Sequence, residues 1–185
     1  MKLATVVLCA CLLCGCSIGD NPIDPAMELR NTLLESSGCE FTSVISADYG
    51  DKVYTFQMDC AVDSQGSLTF TVSDPETIRG ISGVITPDGS SLRFDDKVLA
   101  FPLLANDQLT PVSTPWIFWN SLKGGYISGC SQDSNETCIY LDDSFENAIL
   151  RVEIITDTEN IPIHTSILWN QKQILSADIR NFKFL

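Results

Sequence analysis

The sequence contains few of the residues on which catalytic centres are built. It has one histidine, His164, in 185 residues, and it has no G-x-S-x-G, H-E-x-x-H or Gly-rich phosphate-binding motif. The isoleucines around His164 alternate on the opposite face of a predicted strand, so we expect a surface histidine and not a catalytic base. The neighbours in Asp95-Asp96 and in Asp142-Asp143 point to opposite faces of a strand, so neither pair forms an acid/base dyad. We expect a non-enzymatic protein with no cofactor and no metal.

Lysine and arginine are also scarce. The chain carries 11 of them against 24 aspartates and glutamates, which gives a formal net charge of −13. Such a surface repels the phosphates of nucleic acids and the headgroups of anionic lipids, so we expect no nucleic-acid partner. The acidic residues are spread along the chain, which indicates solubility, and steering of a cationic ligand is the alternative interpretation.

Long apolar stretches are missing after the first 16 residues. The chain opens with Met1-Lys2 and an uncharged run from Leu3 to Leu13, which is typical of a secretory signal peptide and too short to span a bilayer. The next residues, LCGC, resemble a bacterial lipobox, in which cleavage precedes the last cysteine and its thiol receives diacylglycerol. We predict a signal peptide over residues 1–15 and lipidation, with palmitate as a typical acyl chain, at Cys16. An ordinary signal peptide is one alternative. A metal cluster is the other, but these cysteines lie in a run without histidine or carboxylate.

A lipidated Cys16 implies a location outside the cytoplasm, anchored to the cell membrane or, in a Gram-negative cell, to the outer membrane. Two acyl chains on one cysteine meet the usual requirement for stable anchoring. Residues 16–25 are polar with proline and glycine, which is typical of a tether. Residues 26–185 have the length of a single globular domain.

Four cysteines remain in this domain: Cys39, Cys60, Cys130 and Cys138. An even number of cysteines in an exported protein is typical of disulfides, so two bridges are predicted. One antiparallel register aligns the apolar faces of residues 39–46 and 53–60, and it sets Cys39 opposite Cys60. Cys130 and Cys138 flank a polar loop and are predicted to close the second hairpin.

Most of the domain alternates between apolar and polar residues, which is typical of strands with one buried face. Hairpin turns are predicted at 48-DYGD-51, 63-DSQG-66, 87-PDGS-90 and 157-DTEN-160, with Gly66 in the left-handed conformation. Helices are predicted at about Pro25–Glu35 and at Thr114–Lys123, where a proline follows an N-cap candidate. The apolar phase shifts between Ile179 and Phe182, which indicates a β-bulge.

This order of elements predicts an α+β, mainly β fold: a long antiparallel meander that curls, with the helices on its concave side. The layout resembles the LolA/LolB-like superfamily of lipoprotein carriers and receptors, and lipoproteins of that fold from Gram-positive bacteria, including clostridial spore-germination lipoproteins. The resemblance rests on 70-FTVSDPETIRGISGVITPDGSSLRFDDKVL-99, on the helix at Thr114–Lys123 and on the closing strands at 149–185. It implies an incomplete β-barrel of about eleven strands around an apolar cavity that holds acyl chains.

Two functions are compatible with this layout. The first is a non-enzymatic, membrane-anchored lipoprotein that binds a lipid, an acyl chain, a lipoprotein or another apolar ligand in the half-barrel cavity. The alternative is an envelope or spore-assembly lipoprotein that binds another envelope protein and whose core is filled. The residues predicted to line a ligand cavity in the first case, and to fill the core in the second, are Trp116, Phe118, Trp119, Trp169, Phe56 and Phe70.

The lipobox gives a direct prediction. Replacing Cys16 with alanine removes the thiol that accepts diacylglycerol, so Cys16→Ala is expected to incorporate no labelled palmitate in cells, while the parent chain does. A variant that still incorporates the label would show that the lipobox interpretation is wrong.

Overall fold

The computed structural model describes residues 23–94, 97–100, 104–105, 108–145 and 148–185. The predicted signal peptide, Cys16 and the turn at Asp95-Asp96 lie outside the described residues. Two helices are assigned in the described ranges, α1 (Asp24–Glu35) and α2 (Thr114–Gly124), close to the predicted bounds. The strands are β1 (Gly38–Asp48), β2 (Val53–Asp63), β3 (Leu68–Asp74), β4 (Ser82–Thr86), β5 (Gly89–Phe94), β6 (Lys97–Ala100), β7 (Leu104–Ala105), β8 (Gln108–Leu109), β9 (Tyr126–Asp133), β10 (Glu136–Phe145), β11 (Ala148–Thr156), β12 (Pro162–Trp169) and β13 (Lys172–Phe184).

Over the part of the chain described, eleven strands form one antiparallel sheet in the order β6-β5-β4-β3-β2-β1-β13-β12-β11-β10-β9. Neighbouring strands are consecutive in the chain except where β1 pairs with β13, so the first and last strands meet in the middle of the sheet. β7 and β8 pair only with each other. The sheet is curled and unclosed, with β6 and β9 as its edges, which confirms the predicted mainly β fold.

The core lies on one face of this sheet, which we call the inner face. Alternate residues of β1 from Cys39 to Ala47 are buried there, and β2, β3, β11 and β13 show the same alternation. Each fully buried aliphatic or aromatic side chain contributes about 1.5–3 kcal/mol of transfer free energy. α1 adds Ala26, Leu29 and Leu33 to this core. The opposite, outer face carries mainly polar side chains.

Helix α2 is buried on nearly every side. Trp116, Ile117, Phe118, Trp119 and Leu122 are between 0% and 6% exposed. A surface helix has a polar face, and α2 has none large enough to meet water. It is therefore enclosed by α1, β10, β11 and β13, against which it packs. A short 3-10 turn, Pro111–Ser113, precedes it, so Ser113 and not Thr114 occupies the N-cap position.

Arg30 of α1 joins the two helices. Its Nε donates to the Leu122 carbonyl at 2.7 Å and its Nη2 to the Gly125 carbonyl at 2.6 Å. Carbonyls at the end of a helix lack intrahelical donors, and a cation is favourable at that end of the helix dipole. Burial lowers the pKa of the Arg30 guanidinium from its ordinary value. The contact fixes α1 against the C-terminal end of α2.

The register predicted for the first hairpin is wrong by two residues, although the predicted faces are right. Pairing of Cys39 with Cys60 would set Phe41 opposite Met58, but Phe41 lies opposite Cys60. Alternation repeats every two residues, so it identifies the inner face but is equally consistent with registers two apart. The geometry of each turn determines which of these registers forms. In the β2–β3 loop Gly66 has φ 86°, as predicted, and Asp63 Oδ1 accepts the Gln65 and Ser67 amides at 2.9 Å.

Neither predicted disulfide is present, and all four domain cysteines are free. Cys39 lies opposite Val62 while Cys60 lies opposite Phe41, so the two thiols are diagonal neighbours. Cys130 pairs with Ile139 and Cys138 with Ser131. Because directly paired residues share a face, an offset of one residue puts Cys130 and Cys138 on opposite faces of the sheet. A register shift of two residues thus separates Cys39 from Cys60, and a register shift of one residue separates Cys130 from Cys138.

The predicted bulge near the C-terminus is confirmed. The β1–β13 register shifts between Glu40 and Thr42, opposite Lys183 and Arg180, and Asn181 has φ 53°. The extra residue allows both Ile179 and Phe182 to face the core.

The close packing of Gly83 against Phe70 gives a stability prediction. It lies opposite Phe70, and a Cβ there would stand 2.5 Å from Phe70 Cζ and 2.7 Å from the Ser91 carbonyl oxygen. Gly83→Ala is expected to lower the free energy of unfolding by about 1–3 kcal/mol through overpacking. The control is Gly124→Ala, where a Cβ meets nothing within 4 Å. Urea unfolding measures both, and equal stability of the two variants would contradict the packing.

Candidate functional site

The aromatic residues predicted to line a ligand cavity are packed into the core. Trp116 is 6% exposed, Phe118 0%, Trp119 3%, Phe56 8% and Phe70 2%. Trp169, at the end of β12, is half-buried at the margin of the same core. The structure therefore brings five of the six together as core residues.

Their contacts are those of a filled interior. The Phe118 ring meets Phe41 edge-on at 5.8 Å and Phe182 at 6.5 Å between centroids. Trp116 Nε1 donates to the Gly66 carbonyl at 3.2 Å, which ties α2 to the β2–β3 loop. Such aromatic pairs add about 0.5–1.5 kcal/mol beyond the area they bury. Three buried polar atoms have no hydrogen-bond partner among the described residues: Asn160 Oδ1 between β11 and β12, and the pair Ser43 Oγ and Trp119 Nε1 in the core.

A pocket of about 690 Å³ lies elsewhere, on the outer face. Sequence reasoning assigned its residues to solvent and missed it, because alternation tells which face a residue occupies and not how that face curves. We call it the outer pocket. It extends across the strands from β13 to β6, and the side chains that define it are those of Glu40, Asp59, Thr71, Ser82, Arg93 and Lys183.

The floor of the outer pocket is made of small side chains. Ala61 pairs with Thr69, and Thr69 with Val84, in one row across the strands. Thr71 and Ser82 form the next row. Short side chains on adjacent strands leave a shallow depression, and the longer side chains at either end stand above it. Hydroxyls with both donor and acceptor capacity therefore cover the middle of the pocket.

Charged residues of both signs border the two ends. Glu40 faces Lys183 at the β1–β13 end, and Arg93 faces Val98 at the β5–β6 end. Thr42 Oγ1 donates to Asp59 Oδ1 at 3.0 Å, which orients that carboxylate. Glu40 lies opposite Ala61 of β2. Neither Arg93 nor Lys183 forms an ion pair with a residue that the structure describes.

His164 lies on the outer face, as predicted, within a hydrogen-bonded row. Its Nδ1 is 2.8 Å from Asp178 Oδ1 and its Nε2 is 3.2 Å from Ser166 Oγ. Serine, histidine and aspartate in this order form the catalytic triad of acyl-transfer enzymes, but such a triad also needs N–H donors directed at the oxyanion. β12 is a central strand between β11 and β13, so its N–H groups donate hydrogen bonds to the neighbouring strands. The row therefore acts as a structural network linking β12 to β13.

Within the ranges that the structure covers, no group of three or more His, Cys, Asp or Glu side chains is placed to hold a metal ion. Over the same ranges, no helix has the length and apolar character needed to cross a bilayer.

No family model and no curated protein sequence matches this chain. Solved structures similar to it include a LolA superfamily protein from Nitrosomonas europaea, at 8% identity and a TM-score of 0.48, covering 86% of this chain and 93% of that one. A domain from Vibrio parahaemolyticus, described as outer membrane lipoprotein-sorting, has 10% identity and a TM-score of 0.48, covering 88% and 92%. The lipoprotein LppX of Mycobacterium tuberculosis has 9% identity and a TM-score of 0.40, covering 85% and 92%. LolA superfamily proteins are thus among the similar structures, and at these identities the similarity is one of fold alone.

The thiols give a test of the cysteine geometry. Burial raises the pKa of Cys39 and of Cys60 far above the usual range, and it raises the pKa of Cys130 and Cys138 as well. Alkylation requires the thiolate, so labelling is expected only at higher pH than for a free cysteine of pKa about 8.5. Cys130 and Cys138 are partly exposed and should react before the buried pair.

Peptide mapping after N-ethylmaleimide labelling measures this order across a pH series. Unfolding without reductant is expected to release all four thiols. Fewer than four labelled domain cysteines under those conditions would contradict the free-thiol geometry.

Proposed function

We propose that this protein is a membrane-anchored extracytoplasmic lipoprotein that serves as a non-enzymatic scaffold and binds another protein of the envelope. One observation carries the proposal: the interior of the half-barrel is occupied by the protein's own aromatic side chains, while the described pocket opens on the outer face.

The filled interior argues against a large acyl cavity under α2. A cavity able to hold a drug-sized or larger ligand needs a few hundred Å³ of space. Phe118 and Ile117 are fully buried, and Trp119 is 3% exposed. Phe118, predicted to line such a cavity, instead contacts the rings of Phe41 and Phe182.

The chemistry of the outer pocket suits a polypeptide better than a lipid tail. Its floor presents threonine and serine hydroxyls, and its ends present Glu40 and Lys183 on one side and Arg93 on the other. Hydroxyls and opposite charges match the amide groups and charged side chains of a peptide. A hydrocarbon chain would leave these polar groups without partners, at a cost of about 1–3 kcal/mol for each buried one.

The proposed anchor is diacylglycerol on Cys16. α1 begins at Asp24, so only a short stretch separates the lipid from the folded domain. A scaffold held this close to a membrane meets its partners in two dimensions, which raises their effective concentration.

An apolar ligand in the interior is the second candidate function. The observation in its favour is the pair of buried polar atoms without partners, Ser43 Oγ and Trp119 Nε1. A polar headgroup reaching the interior would satisfy them, and unpaired buried polar atoms are rare in folded proteins. Native mass spectrometry after mild extraction separates the candidates: protein of apoprotein mass supports the scaffold, and a recurrent lipid adduct supports the carrier.

Filling the outer pocket gives the main test. Thr71→Trp places a large ring on the pocket floor, whereas Thr55→Trp places the same ring on an exposed outer position of β2 outside the pocket. Crosslinking in cells is expected to capture one dominant protein with the parent chain and with Thr55→Trp, and to lose it with Thr71→Trp.

Circular dichroism of both variants checks that the fold is retained, since tryptophan is well accepted in strands. Equal capture by the two variants, or no dominant protein with the parent chain, would contradict the scaffold proposal.

A further inference from the structure

Strand β6 is an open edge of the sheet. It pairs with β5 on one side, and no described strand pairs with its other side. All four of its residues are exposed, with Val98 at 60% and Leu99 at 64%. Because neighbours on a strand point to opposite faces, these two apolar side chains flank the edge above and below. β6 therefore presents backbone N–H and C=O groups between two exposed apolar side chains.

The other edge, β9, is protected. A bulge interrupts its pairing with β10 beside Tyr140 and Leu141, and α1 packs against it. Its last residues, Ser131–Asp133, are polar and exposed. Bulges, covering elements and polar side chains are the means by which proteins prevent unwanted pairing at an edge. Among these protective features, the described residues of β6 show only one, the charged residue Lys97.

β6 also borders the outer pocket. Val98 and Arg93 are directly paired across β6 and β5, and both line the pocket. An incoming strand would lie about 4.8 Å from β6 and about 10 Å from β5, within reach of an arginine side chain that meets a glutamate or aspartate. Arg93 has no ion-pair partner among the described residues.

We propose that β6 is the edge at which the partner protein docks, adding one extended segment of its own chain to the sheet. The proposal rests on the proposed function and names how that partner is held. The segment has apolar residues at alternate positions on the inner face to cover Leu99, and polar residues on the outer face beside Val98, one of them acidic for Arg93. Main-chain hydrogen bonds supply the affinity in this mode of binding, and the alternate side chains supply the specificity.

A synthetic peptide provides the probe. It has seven residues that alternate threonine and valine, with one central threonine replaced by glutamate, and its control has N-methyl groups on alternate amides. The parent domain is expected to bind the first peptide saturably and not the second, with slowed amide hydrogen exchange confined to β5 and β6. Binding without that exchange pattern, or equal binding of the N-methylated peptide, would overturn the proposal.

Two variants of this chain locate the contact. Val98→Glu puts a negative charge on the edge, on the face where the peptide carries its glutamate, and Val53→Glu makes the same change at a 65% exposed valine at the start of β2. The first is expected to weaken peptide binding by about tenfold or more, and the second to leave it unchanged. Equal effects would overturn the proposal, as would self-association of the parent chain that Val98→Glu abolishes, since a second copy would then occupy the edge.

The crosslinking test distinguishes failure of this inference from failure of the proposed function. Loss of capture with Thr71→Trp but not with Val98→Glu retains the scaffold and overturns docking at β6. Loss of capture with both variants, together with peptide binding at β6, supports both.

Discussion

Enclosure of α2 is the constraint on which the rest of the structure depends. Its sequence, TPWIFWNSLKG, has apolar side chains on every side, so no orientation on a sheet leaves a polar face for water. Strands β10, β11 and β13 cover it from below, α1 covers its flank, and Arg30 closes its C-terminal end by binding the Leu122 and Gly125 carbonyls. The curled sheet is the surface that can surround such a helix while each strand keeps one face in solvent.

This enclosure also bears on the proposed function. A helix that fills the concave side leaves Phe118 and Trp119 packed against other side chains, so the inner face supplies stability. The outer pocket lies on the opposite face, and the edge strand β6 borders it. In the proposed scaffold, stability and recognition therefore use opposite faces of one sheet, and alternation along each strand assigns different residues to each.

Much of this was predictable from local pattern. The two helices, the hairpin order, the bulge near Asn181 and the outer position of His164 all follow from periodicity of 3.6 or 2 and from turn residues such as Gly66. The relative positions of the four cysteines were not predictable in this way, and both predicted disulfides are wrong. The apolar pattern is unchanged when a strand slips by two residues, so it could not place Cys39 relative to Cys60. The side chains of Cys130 and Cys138 point to opposite faces because the β9–β10 pairing is offset by one residue from the pairing that a bridge requires.

The amino-acid sequence by itself determined the class of fold, the face that each strand buries, the acidic surface and the expected anchor at Cys16. These depend on residue types and on short-range spacing, which act within a strand, a turn or a signal peptide. Only the tertiary structure decided that the aromatic residues fill the core, that the pocket lies outside, and that α1 packs against the edge strand β9 while no described strand pairs with the outer side of β6. Those outcomes depend on how far a sheet of many strands curls and on which elements pack against its faces. Both are set by contacts between residues far apart in the chain, which no local pattern records.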